Sequence, residues 1–339
     1  MLLGSVQMCG ETLSSIEVRD ICESLETHSI RLLSLRECFM NDRDFQCLTI
    51  SVGKCKSIMQ LNLNLGLVSA VTRVEMLAQA LMKNRTLTSL FIHGSPVSDY
   101  GMVMLSQALA AHPNIVNLDV GDCILGDRGL EAVAQLLPPD GAKPGLQELT
   151  LSANPAITSM GWVKFGIALA ASSNLKVLNL DYNRVGDNGI ACLTVALASL
   201  RGLEVLDLEG TGMTDQGAKM LLHLLENYPT DINCIILDEN DIDPKLLGEI
   251  KHSLSLEETD ENSSEKEILA SDSEISKMSN EIAQTSLTNV TEISSEATSS
   301  TTLKPHDLDT MGNDLAKSTS LTPRELARFI RSPEAGASN

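Results

Sequence analysis

The residues of this chain whose types and spacing bear most on chemistry are carboxylates, together with one tyrosine, in its second half. They are Asp119, Asp122, Asp181, Tyr182, Asp207, Glu209, Asp238 and Glu239. Spread over one surface, such side chains favour ion pairing with a basic partner and salt-sensitive association. Acid–base catalysis would instead need an isolated pair of carboxylates or a nucleophile beside its base. The carboxylates form a broad field, so we predict a partner-binding surface without catalytic residues.

Histidine and cysteine show no catalytic or metal-binding pattern. Of the six histidines, only His93 is predicted to share a face with the acidic residues, and Ser152 is expected two strands away from it. The eight cysteines form no CxxC pair and do not alternate with histidine at ligand spacing. We therefore expect no metal ligand and no cofactor. We also expect reduced thiols in a cytoplasmic protein, with a nuclear location left open.

A sequence repeat positions the acidic residues. The motif LxxLxLxx(N/C/S/T/G)x(L/V/I/M) recurs at spacings of 28, 29, 28, 31, 29, 28 and 29 residues. A fixed period of this length predicts a stack of identical supersecondary units. The motifs begin at Ile30, Ile58, Leu87, Ile115, Leu146, Leu175, Leu203 and Ile232. A degenerate copy, LGSVQMCGETL, begins at residue 3 and leads us to expect an N-terminal capping half-repeat at 3–29.

Each unit is predicted to be a strand, a turn and a helix. Residues 115–120 alternate between apolar and polar side chains, as in a short strand. The small polar residue that follows, for example Asn183, can bond backbone groups left open by the turn. The tetrad Gly-Asp-Arg-Gly at 126–129 then suits a helix start, with the aspartate in the first turn. Because crossovers between parallel strands are right-handed, the strands stack side by side along one face.

Further helix starts are indicated by capping signals. Ser14 and Glu17 form a capping box ahead of a first helix within residues 14–27, and Thr72 with Glu75 forms a second. Pro244 follows Asp243 and suits the first position of a closing helix. Residues 1–256 are therefore predicted to form one repeat domain, closed at both ends.

The composition changes after this domain. Residues 257–300 contain 16 Ser or Thr, 11 acidic residues and no aromatic residue, which predicts disorder through 257–339. One segment, LTPRELARFIRSP at 321–333, differs, since its capping box predicts a short helix at 322–332. It has an apolar face with three arginines nearby. Two interpretations stay open, a helix that docks into a groove and a transient helix without a partner.

The charge distribution limits the kinds of partner. The net charge is −20, and residues 115–256 carry 9 basic and 19 acidic side chains. Binding to nucleic acid or to an anionic membrane needs a basic surface, so neither partner is expected. No apolar run approaches the roughly 18 residues of a membrane span, and the first ten residues do not look like a secretory signal. A protein with a basic patch is the favoured partner.

The period, the leucine register and the Cys or Asn after each strand resemble the ribonuclease-inhibitor type of leucine-rich repeat over residues 3–256. This resemblance implies an α/β horseshoe-shaped solenoid with parallel strands on the concave side and helices on the convex side. It also implies that another protein binds on the concave side. The class includes the sensor regions of nucleotide-binding immune receptors, but the phosphate loop GxxxxGK(S/T) does not occur here.

Two functions from different classes remain. The first is a non-enzymatic interaction scaffold that binds a basic protein surface on its acidic concave face. The alternative is a regulator of a small GTPase, because Ran GTPase-activating proteins resemble this arrangement of repeats followed by an acidic stretch. That alternative rests on analogy at the level of the fold. A ribonuclease inhibitor proper would need more repeats and more cysteines.

Overall fold

Strands and helices alternate along the chain in the computed structural model, which describes residues 4–137, 145–172, 174–200 and 202–255. The strands are β1 (Gly4–Cys9), β2 (Ile30–Arg36), β3 (Gln60–Asn62), β4 (Ser89–Phe91), β5 (Asn117–Asp119), β6 (Glu148–Thr150), β7 (Val177–Asn179), β8 (Val205–Asp207) and β9 (Cys234–Ile236). The helices are α1 (Ser15–Glu26), α2 (Asp42–Lys54), α3 (Val71–Lys83), α4 (Ser98–Ala111), α5 (Asp127–Ala134), α6 (Ser159–Leu169), α7 (Gly186–Leu197), α8 (Asp215–Asn227) and α9 (Pro244–Ser255).

The strands form one parallel sheet in sequence order, from β1 at one edge to β9 at the other. The motif leucines stay in register, since Leu178 pairs with Leu149 on one side and Leu206 on the other, and Leu178 is fully buried. Strands lie about 4.8 Å apart, whereas packed helices lie about 8–10 Å apart. The sheet must therefore curve with its strands inside, which confirms the predicted α/β leucine-rich-repeat solenoid.

The strands from β3 onward are shorter than the sequence pattern suggests. Residues 115–120 were predicted as a strand, and β5 covers only Asn117–Asp119. Backbone hydrogen bonds between repeats continue past the strands to the eighth motif residue, where the Asp122 N–H donates to Ser152 O at 2.7 Å. This eighth residue adopts a left-handed backbone, with φ of 46° at Asp122, 53° at Tyr182 and 55° at Glu239. This conformation is uncommon for side chains other than glycine and turns the chain out of the sheet.

The helix starts agree with the sequence at two of the capping signals and differ at a third. Ser14 and Glu17 form the predicted capping box at α1, and α9 begins at Pro244. The box predicted from Thr72 and Glu75 is wrong. Helix α3 begins at Val71 with Ala70 as its N-cap and no side-chain cap, so Thr72 already lies inside the first turn.

A ladder of asparagines, buried at positions 154 and 183, connects neighbouring repeats. The Asn183 side-chain amide donates to Leu180 O at 2.8 Å in its own repeat and to Leu151 O at 3.0 Å in the preceding one. Its Oδ1 accepts from the backbone N–H of Asn154 at 2.9 Å. Asn154 and Asn240 make the corresponding bonds. The predicted role of this position is confirmed, and it extends between repeats.

The aspartates in the first turns of the helices cap the next helix along the solenoid. Asp99 Oδ1 in α4 accepts from the backbone N–H groups of Gly126 and Gly129, at 2.7 and 2.9 Å, at the start of α5. Asp127, Asp187 and Asp215 likewise accept from the starts of α6, α8 and α9. Carboxylates stabilise the positive end of a helix and satisfy its free N–H groups. This ladder fixes the spacing between repeats.

Some predictions fall outside the described residues. These are the tail 257–339 and the helix at 322–332. The domain boundary near 256 therefore stays a prediction. The capping half-repeat expected at 3–29 contains, in its described residues, a complete strand and helix, β1 and α1. No helix in the described part of the chain is long and apolar enough to cross a membrane.

Candidate functional site: the concave acidic surface

The eight predicted binding residues lie at or just after the carboxyl ends of four strands. Asp119 and Asp207 are the last residues of β5 and β8. The other six follow β5, β7, β8 and β9 within three residues. They are Asp122, Asp181, Tyr182, Glu209, Asp238 and Glu239. We call these eight residues the acidic concave surface.

The carboxylates on β7, β8 and β9 lie close enough to interact. Burial raises the pKa of Asp207, and the negative charges of Asp181, Glu209 and Asp238 raise it further. The backbone N–H of Glu209 donates to Asp207 Oδ1 at 3.0 Å, which opposes this shift only in part. The parallel register therefore crowds like charges together, at a cost that an oppositely charged partner would relieve.

The field continues across β6, which supplies no acid at the fifth, seventh or eighth motif position, although Glu148 lies at its third. Burial raises the pKa of Asp119, and Asp181 on the far side of β6 adds a smaller electrostatic contribution in the same direction. The side chain of Asp119 is only 17% exposed, so its charge is poorly solvated. Asp181 also has one buried carboxylate oxygen without a hydrogen-bond partner among the described residues. Asp181 therefore interacts electrostatically with Asp119 of β5 on one side and with Asp207 of β8 on the other.

Tyr182 is held in place by the next repeat. Its ring is 45% exposed and lies beside Gly210, where an added Cβ would come within 2.8 Å of the ring. Its hydroxyl donates to Glu209 Oε1. This hydrogen bond is the largest cause of the raised pKa of Tyr182, followed by burial and the charge of Glu209. A fixed, half-exposed ring with a polar tip is typical of interface anchors.

His93 lies beside the acidic concave surface. Its Nδ1 is 3.4 Å from Asp119 Oδ1, which forms an ion pair when the imidazole is protonated. A Cβ added at Gly121 would come within 2.4 Å of His93 Nδ1 and 3.1 Å of Ser152 Cβ. His93 and Ser152 therefore flank Gly121, with no hydrogen bond between them among the described residues. This arrangement places an imidazole beside an acid without an activated nucleophile.

The sequence interpretation missed an apolar component of the same face, at the third motif position and at the end of β9. Val177 and Val205 are paired in register, and Ile236 lies diagonally across from Val205. All three are partly exposed and lie outside the buried core. Because strand residues alternate between the two faces, the third motif position lies on the same face as the fifth. The sequence prediction of the binding surface covered only the fifth, seventh and eighth positions. We call Val177, Val205 and Ile236 the apolar row.

The cysteines lie mostly away from this surface. Burial raises the pKa of Cys123 to about 12 and that of Cys192 to about 11. Both thiols are therefore held in the protonated form, which is the less reactive one. All eight cysteines are free. Within the described ranges, no cluster of three or more His, Cys, Asp or Glu residues could hold a metal ion.

Comparisons with known proteins agree with this architecture. The family model described as Leucine Rich repeat matches residues 111–134, 171–193 and 201–222. The chain is 54% identical over 261 residues to leucine-rich repeat-containing protein 73 from Rattus norvegicus, which covers 77% of this chain and 83% of the relative. The chain therefore belongs to the leucine-rich repeat family. The Homo sapiens protein of the same name matches with the same identity and coverage.

A solved structure shows the same fold at low sequence identity. The crystal structure of the Rad7 and Elc1 complex in yeast aligns with a TM-score of 0.51 at 16% identity. The alignment covers 69% of this chain and 56% of that one. At this identity the match supports the fold alone. Leucine-rich repeat proteins typically act in protein–protein interactions, so the family points to a protein partner.

Proposed function

We propose that this protein is a non-enzymatic interaction scaffold that binds a basic protein surface on its acidic concave surface. The observation that carries the proposal is the crowding of Asp181, Glu209 and Asp238 around Asp207, at the ends of three adjacent strands paired in register. Solubility alone would favour acids spread over the convex side. Charges concentrated on the concave face cost stability there, and a complementary basic surface offsets that cost.

The charges and exposure of the surrounding side chains support this assignment. Across β5–β9, the third, fifth, seventh and eighth motif positions contain no lysine or arginine. The nearby Lys176 is paired with Glu204. Tyr182 and the apolar row add surface area that a partner can desolvate. The carboxylates of this face would speed association with a basic partner, and its apolar side chains would slow dissociation.

The test is proximity labelling in cells with the full chain, followed by pulldown with two variants of matched charge. Asp207→Lys, Glu209→Lys and Asp238→Lys reverse the concave charges. Asp20→Lys, Glu23→Lys and Glu75→Lys make the same change at exposed positions on α1 and α3. We expect partners with basic surfaces that bind the wild type and the second variant and are lost from the first. Partners retained equally by both variants would contradict the proposal.

The proteins recovered by proximity labelling also test the alternative function, regulation of a small GTPase. The purified chain is mixed with the small GTPases recovered by labelling, and GTP hydrolysis is followed. We expect no stimulation by the wild type. Stimulation that disappears in the concave variant would show that the surface acts on a GTPase, and the scaffold proposal would then be wrong.

A further inference from the structure

The β7–β9 part of the concave face combines apolar and acidic side chains in one strip. Val205 and Asp207 are two residues apart in β8 and therefore lie on the same face of the sheet. Ile236 of β9 pairs in register with Asp207. Glu209 and Tyr182 follow at the edge of the strip. A ligand that fits must present apolar side chains toward the sheet and several cations toward the carboxylates. This requirement is narrower than for a generally basic protein.

Residues 321–333 of this chain have that chemistry. Arg324, Arg328 and Arg331 are the only arginines after Arg201, and Phe329 is the only Phe, Trp or Tyr after Tyr228. The segment has three basic residues and one acid, whereas residues 257–339 as a whole have 7 basic and 16 acidic residues. Its apolar side chains, Leu326, Phe329 and Ile330, recur at helical spacing. Structurally, the segment lies outside the described residues.

The chain is long enough to bring the two together. Residues 256–321 connect the end of α9 to the segment, and a coil of that length would span roughly 45 Å. Helix α9 follows β9, so the connection starts at the acidic end of the sheet. Strands β7–β9 extend over only about 10 Å. A tethered segment within this reach has an effective concentration of about 1 mM.

We propose that residues 321–333 bind the acidic concave surface and the apolar row of their own chain and compete with the outside partner. This inference rests on the proposed function, since it assumes that the face is a binding face. The arginines pair with Asp207, Glu209 and Asp238, and Leu326, Phe329 and Ile330 cover the apolar row. A segment of about 100 µM intrinsic affinity, tethered at about 1 mM, would weaken outside binding about tenfold.

The first experiment measures competition in the full chain. The probe is a fluorescent synthetic peptide with the sequence of residues 321–333, titrated by anisotropy. Arg324→Glu, Arg328→Glu and Arg331→Glu remove the tethered competitor, so this variant should bind the peptide about tenfold more tightly than wild type. Lys277→Glu, Lys304→Glu and Lys317→Glu change the tail charge equally and should leave the affinity at the wild-type value. Equal affinities for all three chains would overturn the inference.

The binding face is located by adding Asp207→Lys and Glu209→Lys to the arginine-reversed chain. We expect this combined variant to lose the peptide, with circular dichroism checking that it is folded. If the peptide still binds, it binds elsewhere and the inference is wrong. This outcome is distinct from failure of the proposed function, because the peptide can bind the surface even if no cellular basic partner is found.

The second experiment tests whether the contact lies within one chain. Arg328→Lys keeps the charge and supplies an amine, which a carbodiimide couples directly to a neighbouring carboxylate as an amide with loss of water. We expect monomeric products that join position 328 to Asp207, Glu209 or Asp238, at yields independent of protein concentration. Dimeric products that rise with concentration, or coupling only to acids on the convex side, would overturn the inference.

Discussion

Asp187 Oδ1, in the first turn of α7, accepts a hydrogen bond of 3.0 Å from the backbone N–H of Gly217 in α8. The same oxygen accepts from Thr214 N–H at 2.9 Å, and Oδ2 accepts from the Thr214 hydroxyl at 2.7 Å. An added Cβ at Gly217 would lie 2.7 Å from Asp187 Oδ1 and 2.7 Å from Met213 Cγ. Gly217 therefore lies where the capping carboxylate of one repeat meets the helix start of the next, with no room for a side chain.

The first prediction concerns Gly217→Ala. Alanine usually stabilises a helix by about 0.5–1 kcal/mol relative to glycine. Here we expect the opposite sign, a loss of about 1–3 kcal/mol, because the methyl group separates Asp187 from the helix it caps. Gly166→Ala in α6 is the control, since its nearest atom is Cys192 O at 3.4 Å. Urea denaturation of both variants measures the difference, and equal stabilities would contradict the explanation.

The second prediction concerns the leucine ladder. Leu178→Ala should lower the free energy of unfolding by about 2–5 kcal/mol, since the side chain is fully buried between the corresponding leucines of β6 and β8. Val177→Ala, one residue away on the concave face, should cost much less. Thermal and chemical denaturation test both. A small loss at Leu178 would mean that the register does not bury this residue as described.

The third prediction is a pH dependence. The pKa of Asp207 is raised in the folded state above its ordinary value of 3.8, so the folded protein binds this proton more tightly than the unfolded chain. Stability from this group is present below the ordinary pKa and is lost as the pH rises through the raised value. Asp207→Asn should therefore stabilise the protein at pH 7 and give no advantage near pH 3. A constant difference across this range would contradict the assignment.

The fourth prediction concerns association with the partner. Asp181→Lys with Asp207→Lys should weaken binding mainly through slower association, because charge complementarity speeds encounter. The difference from wild type should shrink at high salt, where surface charges are screened. Binding kinetics at two salt concentrations, with circular dichroism as a folding check, measure both effects. Wild-type rates in this variant, with binding abolished instead by changes at Phe39 or Phe91, would place the working surface in the N-terminal half.

The fifth prediction separates the ring of Tyr182 from its hydroxyl. Tyr182→Ala should speed dissociation of the partner by an amount equivalent to about 2 kcal/mol or more, as expected for a central aromatic anchor. Tyr182→Phe keeps the ring beside Gly210 and removes only the hydrogen bond to Glu209, so its effect should be smaller. The dissociation rates of the two variants, compared with wild type, separate the contribution of the ring from that of the hydroxyl. Equal and small effects would show that Tyr182 is not an anchor.

The repeating unit and its number of copies follow from the periodicity of the amino-acid sequence. The period of 28 to 31 residues and the motif leucines gave the solenoid, because a side chain such as Leu178 can be buried only if each strand follows the same register. The capping box of Ser14 and Glu17 was readable because its partners are three residues apart. The acidic residues of the concave face could also be predicted, since alternation along a strand involves only a few neighbouring residues.

The contacts between repeats are visible only in the folded structure. The sequence pattern places Asp127 in the first turn of its own helix, and the structure shows that it also accepts a hydrogen bond from Thr158 N–H at the start of α6, 31 residues further on. Gly121 leaves room for the ring of His93, which belongs to the preceding repeat. Periodicity specifies which face a side chain occupies. The distance to atoms one repeat away depends on the register and curvature of the stacked strands, and those arise only when the whole ladder packs.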